Sequence, residues 1–145
     1  MEEQAGNAKS AISSLSEPDM NKTFKKYLWV SIALFGITRF YGLFAHGVSS
    51  IAMESMAIVS LIAGLAYVLI LKTIPIDAPM NKWFGLLYNT ALAFLINDLF
   101  IRGVLTIAGG SSAYESILLS LSMLFGLMSA GIYFFIVIRT KTKLT

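Results

Sequence analysis

Four long apolar stretches, residues 27–45, 51–71, 83–108 and 113–138, follow one another with only short polar segments between them, and they restrict what this chain can become more than any other feature. A helix needs about 20 apolar residues to cross roughly 30 Å of hydrocarbon. Inside lipid, only helices and closed barrels satisfy their own backbone hydrogen bonds, and runs of this length without strict alternation read as helices. The expected fold is therefore an all-α integral membrane protein, a four-helix transmembrane bundle. Residues 116–138 carry no charge at all, whereas the first and third stretches are interrupted by charged residues. The 145-residue chain is 57% hydrophobic and 13% charged, which is not the balance of a water-soluble domain.

Basic residues mark one side of this array. Lys22, Lys25 and Lys26 precede the first stretch, Lys72 and Lys82 bracket the central loop, and Arg139, Lys141 and Lys143 follow the last. The other two loops, 47–50 and 109–112, contain no Lys or Arg. Positive loops stay cytoplasmic, so both termini and the central loop are expected there, in a bacterial cytoplasmic membrane. Tyr27, Trp29, Trp83 and Tyr133 fall near the same ends, where amphipathic rings favour the headgroup region. Residues 1–24 are polar and too acidic for a secretory signal, and neither terminus carries a lipidation pattern. They are expected to form a flexible cytoplasmic tail before a membrane domain at 25–145, in which Pro75 and Pro79 stiffen the central loop.

The two halves share a phrase. Met20, Asn21, Lys22 and Phe24 recur as Met80, Asn81, Lys82 and Phe84. Further on, Gly47, Ser49, Ser50 and Glu54 are echoed by Gly109, Ser111, Ser112 and Glu115, and Ser60 with Gly64 by Ser122 with Gly126. The offsets stay between 60 and 62 residues. Each unit holds two spans and returns to its starting side, which predicts two tandem, parallel-repeat helical hairpins about an axis along the membrane normal. Small residues four apart lie on one helix face, so Ser60, Gly64, Ser122, Gly126 and Ala130 are the expected helix-packing positions between hairpins or subunits.

Several chemistries are excluded. The chain has no cysteine and one histidine, His46, which removes thiol chemistry, Cys/His zinc sites and haem held by two histidines. No cofactor and no metal are expected. A net charge of +3 is spread over helix flanks rather than along a basic stripe, so nucleic acid is not an expected partner.

Charge within the apolar stretches is the remaining signal. Arg39, Glu54, Asp98, Arg102 and Glu115, with His46 nearby, are concentrated toward the outer half, and such residues usually face inward. At 1.5 Å of rise per residue, Arg39 lies about 20 Å beyond Lys26 and Asp98 about 22 Å beyond Trp83. Equal depth allows an Arg39–Asp98 ion pair. The four-residue spacing of Asp98 and Arg102 allows a pair within one helix instead, and the sequence leaves both open. Counted together, two bases meet three acids, so the cluster could hold a cation or a proton, or could simply fix helix register.

Resemblances are sparse. An arginine in the first span, Arg39, and a glutamate opening the second, Glu54, resemble features of four-span DoxX-like proteins, but two shared positions assign no membership. Asn97, Asp98, Arg102 and Gly103 resemble a stretch of lipoprotein signal peptidase, yet the second aspartate that a carboxylate pair needs is missing. Small multidrug exporters need a deep acid in the first span, where this chain has Arg39. A Ser/His nucleophile from His46 with Ser49 or Ser50 lacks any elbow motif. The expectation is a non-enzymatic subunit or accessory protein of a membrane complex, surrounded by bilayer lipid and contacting other membrane proteins or itself. The alternatives are a small transporter or proton-conducting oligomer, or a binder of a lipid or hydrophobic small molecule at the charged cluster.

Overall fold

The computed structural model describes residues 20–45, 50–73, 80–110 and 112–142. His46, Ser49, Pro75, Pro79, Ser111 and the tail up to residue 19 lie outside the described residues. The regular structure is entirely helical: α1 Met20–Phe44, α2 Ile51–Thr73, α3 Met80–Ala108 and α4 Tyr114–Thr142. All four are long and apolar enough to cross a membrane. They contain 25, 23, 29 and 29 residues, about 34 to 44 Å each.

Helix ends run past the apolar stretches. Residues 20–24, expected in the tail, form the start of α1, and α4 continues beyond residue 138 to Thr142. Hydropathy marks where lipid-compatible side chains begin, while the backbone helix continues through exposed lysines of good helix propensity. The distal ends, near Phe44, Ile51, Ala108 and Tyr114, are closed by local chemistry. Ser112 Oγ accepts the Tyr114 N–H at 3.2 Å at the start of α4. After α3, Gly109 takes φ of 70°; Gly110 N–H donates to Leu105 O at 2.9 Å and Gly109 N–H to Thr106 O at 3.4 Å. This is a Schellman ending, which requires a left-handed residue where Gly109 stands.

Packing follows chain order. α1 packs on α2, α2 on α3, and α3 on α4, while α1 and α4 have no Cα atoms within 8 Å of each other among the described residues. Among the described residues, hydrogen bonds between side chains tie second neighbours at two places. Tyr27 Oη of α1 donates to Asn89 Oδ1 of α3 at 2.6 Å, and Thr73 of α2 shares a 3.2 Å hydrogen bond with Tyr133 of α4.

Among the described residues, the interior mixes small polar side chains with apolar ones such as Met53, Met56 and Phe84, and the outside is largely apolar. Ser31, Ser50, Ser60, Asp98, Ser122 and Ser129 are buried, while Trp29, Phe40, Leu43, Phe44 and Leu127 are more than three-fifths exposed. An apolar surface of that extent is compatible with a lipid-facing bundle, in which small residues at helix contacts let backbones approach closely. Within the first hairpin, Thr38 Oγ1 donates to Met53 O at 3.1 Å, and Gly64 fits so closely that an added Cβ would meet Tyr27 Cγ at 2.6 Å. Within the second, Ser122 Oγ donates to Ala91 O at 2.9 Å. The small residues Ser60, Gly64, Ser122 and Gly126 thus face the adjacent helix of their own hairpin.

Candidate functional site: a lateral groove and a charged cluster

Because α2 and α4 both lean on α3 but barely touch each other, a groove of about 510 Å³ opens between them. Ala63 and Ala66 of α2 form one wall, and Gly126 and Ala130 of α4 the other. Tyr88 and Leu95 of α3 belong to the floor. Small side chains on facing helices are what leave the space; a leucine at any of these four wall positions would fill part of it. The size falls within the roughly 300 to 1,000 Å³ of sites for small organic molecules.

The hydroxyls of the groove are already used inside the protein. Ser122 Oγ donates to Ala91 O, Ser129 Oγ to Phe84 O at 3.5 Å, and Tyr88 Oη to Ala63 O at 2.8 Å. What faces the opening is therefore apolar. At the proximal end the floor is aromatic, with the rings of Phe84 and Tyr67 stacked at 5.8 Å and those of Phe84 and Tyr88 tilted at 5.8 Å.

The charges stand beyond the groove's distal end and are not among its lining residues. Asp98 lies three residues past Leu95 and seven past Ala91, both of which line the groove, so it shares their face of α3. It is 1% exposed. Arg102 Nε lies 3.1 Å from Asp98 Oδ2 and 3.8 Å from Glu115 Oε2. These contacts are ion pairs without hydrogen bonds: Arg102 Nε and Asp98 Oδ1 are both buried with no hydrogen-bond partner among the described residues.

The sequence left two partners open for Asp98, and the structure pairs it with Arg102. Arg39 is exposed on α1, its guanidinium 4.9 Å from the Phe35 ring centroid. The i,i+4 pair needs only one helix. Glu54 is exposed in the first turn of α2. His46 lies outside the described residues. Among the small residues, Ser122, Gly126 and Ala130 line the groove, and Ser60 and Gly64 do not. Ser60 Oγ and Ser31 Oγ are instead buried without partners between α1 and α2.

Sequence reading missed Ser129, Tyr88 and Gly103. Ser129 is one heptad beyond Ser122, a signal that was present. Gly103 packs where an added Cβ would stand 2.7 Å from Met53 Cβ, a fit that no spacing reveals. Comparison with protein-family models, with curated proteins and with solved structures finds no match for this chain.

Proposed function

We propose that this is a non-enzymatic integral membrane protein that holds a lipophilic small molecule in its lateral groove. The observation that carries the reading is an apolar groove of about 510 Å³ between α2 and α4, open to the side and floored by α3. A lipid-facing opening lets an apolar molecule enter from the bilayer without crossing water. Because the groove hydroxyls are bonded internally, nothing along it replaces the hydration of an ion, which speaks against conduction through one protomer.

The helices are proposed to span the membrane with both termini in the cytoplasm, on the strength of the one-sided Lys and Arg distribution. The two hairpins are proposed to be copies. Gly64 against Tyr27 and Thr38 against Met53 set Ser31 level with Ser60. Ser122 bonds to Ala91, and Ser31/Ala91 and Ser60/Ser122 are pairs at offsets of 60 and 62.

The test is a photoreactive long-chain alcohol in membranes holding the full chain. Labelling should concentrate at Ala63, Ala66, Gly126 and Ala130, be displaced by unlabelled alcohol, and fall sharply in Ala66→Phe with Ala130→Phe, which fills the groove. Uniform, non-saturable labelling of all outward faces would overturn the reading.

A second reading, a subunit or assembly component of a membrane complex, is favoured by Arg39. An exposed guanidinium on an apolar helix, with no ion pair among the described residues, is best placed against an acidic group from a neighbouring protein or a lipid phosphate. Native electrophoresis in mild detergent should show a larger assembly that Arg39→Gln disrupts; a monomer in both forms would remove this reading.

A further inference from the structure

The outer side of the first hairpin carries one charge of each sign, and the chain does not pair them. Arg39 is exposed on α1 and Glu54 on α2, and neither makes an ion pair among the described residues. They stand at one level. The close fit of Gly64 on Tyr27 and the Thr38 hydrogen bond to Met53 fix the antiparallel register of α1 on α2. That register sets Arg39 level with Ala52 and Glu54 level with Ile37, an offset of about 3 Å at 1.5 Å per residue. They also share a face. Tyr27 and Tyr41 of α1 reach Asn89 and Phe100 of α3, while Met53 and Tyr67 of α2 lie near Gly103 and Phe84 of α3. At about 100° per residue, Arg39 is turned about 160° from Tyr41 and Glu54 about 140° from Tyr67, so both point away from α3. Exposed Ile32 and Ile58 lie on the same side, with Gly36, where an added Cβ would meet nothing within 4 Å. The groove is on another flank of α2, at Val59, Ala63 and Ala66.

Two copies inserted the same way round are related by a twofold axis along the membrane normal, which preserves depth. A residue can then meet only residues at its own level in the other copy. Opposite charges at one level, on neighbouring helices of one face, make that face complementary to itself, because the axis lays α1 of each copy against α2 of the other. We infer that this face joins two copies of the chain, with Arg39 of each paired to Glu54 of the other. Both charges are thereby matched within apolar surroundings, where an unmatched one is costly, and Gly36 lets the facing helix approach closely. The inference rests on the reading of the chain as part of a membrane complex and makes the neighbouring protein a second copy.

The test co-expresses two differently tagged full chains and captures one through the other in mild detergent. The unmodified chain should capture itself. Arg39→Glu with itself, or Glu54→Arg with itself, sets like charges opposite each other twice and should lower capture about tenfold. Arg39→Glu co-expressed with Glu54→Arg restores opposite charges at both contacts and should recover capture. An ion pair inside one chain would not be rescued this way, since each variant keeps two like charges. Should a reversed charge not stay monodisperse, Arg39→Gln and Glu54→Gln decide. Each should weaken self-association of fluorescently labelled chains in phosphatidylcholine liposomes several-fold, and both together no more than either alone. Self-capture that the variants leave unchanged, or that the mixed pair fails to rescue, overturns the inference. Absence of self-capture while native electrophoresis still shows a larger assembly also overturns it and leaves the complex reading standing with a different partner. A monomer by both methods removes both.

Discussion

Gly64 and Gly126 hold matching places in the two halves of the sequence, and a methyl group would meet different surroundings at each. At Gly64 it would collide with Tyr27 Cβ and come within 2.6 Å of Cγ; at Gly126 its nearest neighbour is Ala91 Cβ at 4.0 Å. Gly64→Ala is therefore expected to destabilise by about 1 to 3 kcal/mol, and Gly126→Ala to stay within about 0.5 kcal/mol of neutral, as read by unfolding in mixed micelles. Because the closest atom is Tyr27 Cβ, adding Tyr27→Ala to Gly64→Ala should bring no rescue. Equal effects at the two glycines would show that the α1–α2 contact is not as tight as described. The charged residues show the same limit of sequence reading. Spacing identified Asp98 and Arg102 as possible partners, but rejecting Arg39 required knowing that its side chain is exposed on α1, over the Phe35 ring. With Asp98 buried and Arg102 half exposed, Arg102→Gln leaves a buried charge unpaired and should cost about 3 to 5 kcal/mol. The double variant Arg102→Gln with Asp98→Asn should recover most of that loss in the same unfolding measurement. Glu115→Gln, at 3.8 Å and partly exposed, should cost about 1 kcal/mol or less.

Element by element, the existence and order of the helices were legible, because a continuous apolar run of about 20 residues leaves the backbone no alternative in lipid. Their ends were not, since α1 begins among lysines at Met20 and α4 continues through Arg139 and Lys141. One end was written in chemistry rather than hydropathy. Gly109 and Gly110 close α3 with φ of 70° at Gly109, a conformation that costs other L-residues about 1 to 2 kcal/mol. Gly109→Ala should lower stability by about that amount, Gly109→Asn by less, and equal losses for both would mean that the left-handed geometry is not what matters there. α3 is the element on which the candidate site depends. Tyr88, Ala91, Leu95, Asp98 and Arg102 form one stripe at helical spacing, and the groove itself was illegible because it arises only where two other helices lean against that stripe.

For the whole molecule, chain-order packing has a consequence for topology. Each helix needs only its sequence neighbour to bury its small-residue face, so the hairpins can assemble as they are made, and orientation is left to the charged flanks. Lys and Arg sit at the proximal ends of all four helices, while Ser and Gly fill the distal loops. The absence of cysteine makes this directly measurable, since any introduced thiol is unique. Met20→Cys, 40% exposed at the start of α1, and Tyr114→Cys, 69% exposed at the start of α4, place one thiol at each end of the array. With the positive side in the cytoplasm, a membrane-impermeant maleimide should label Tyr114→Cys in intact cells and Met20→Cys only after permeabilisation. The reverse pattern would invert the orientation and place the Asp98 end of α3 on the cytoplasmic side. Labelling of both in intact cells would mean that α1, α2 and α3, the three helices between the two thiols, do not all span.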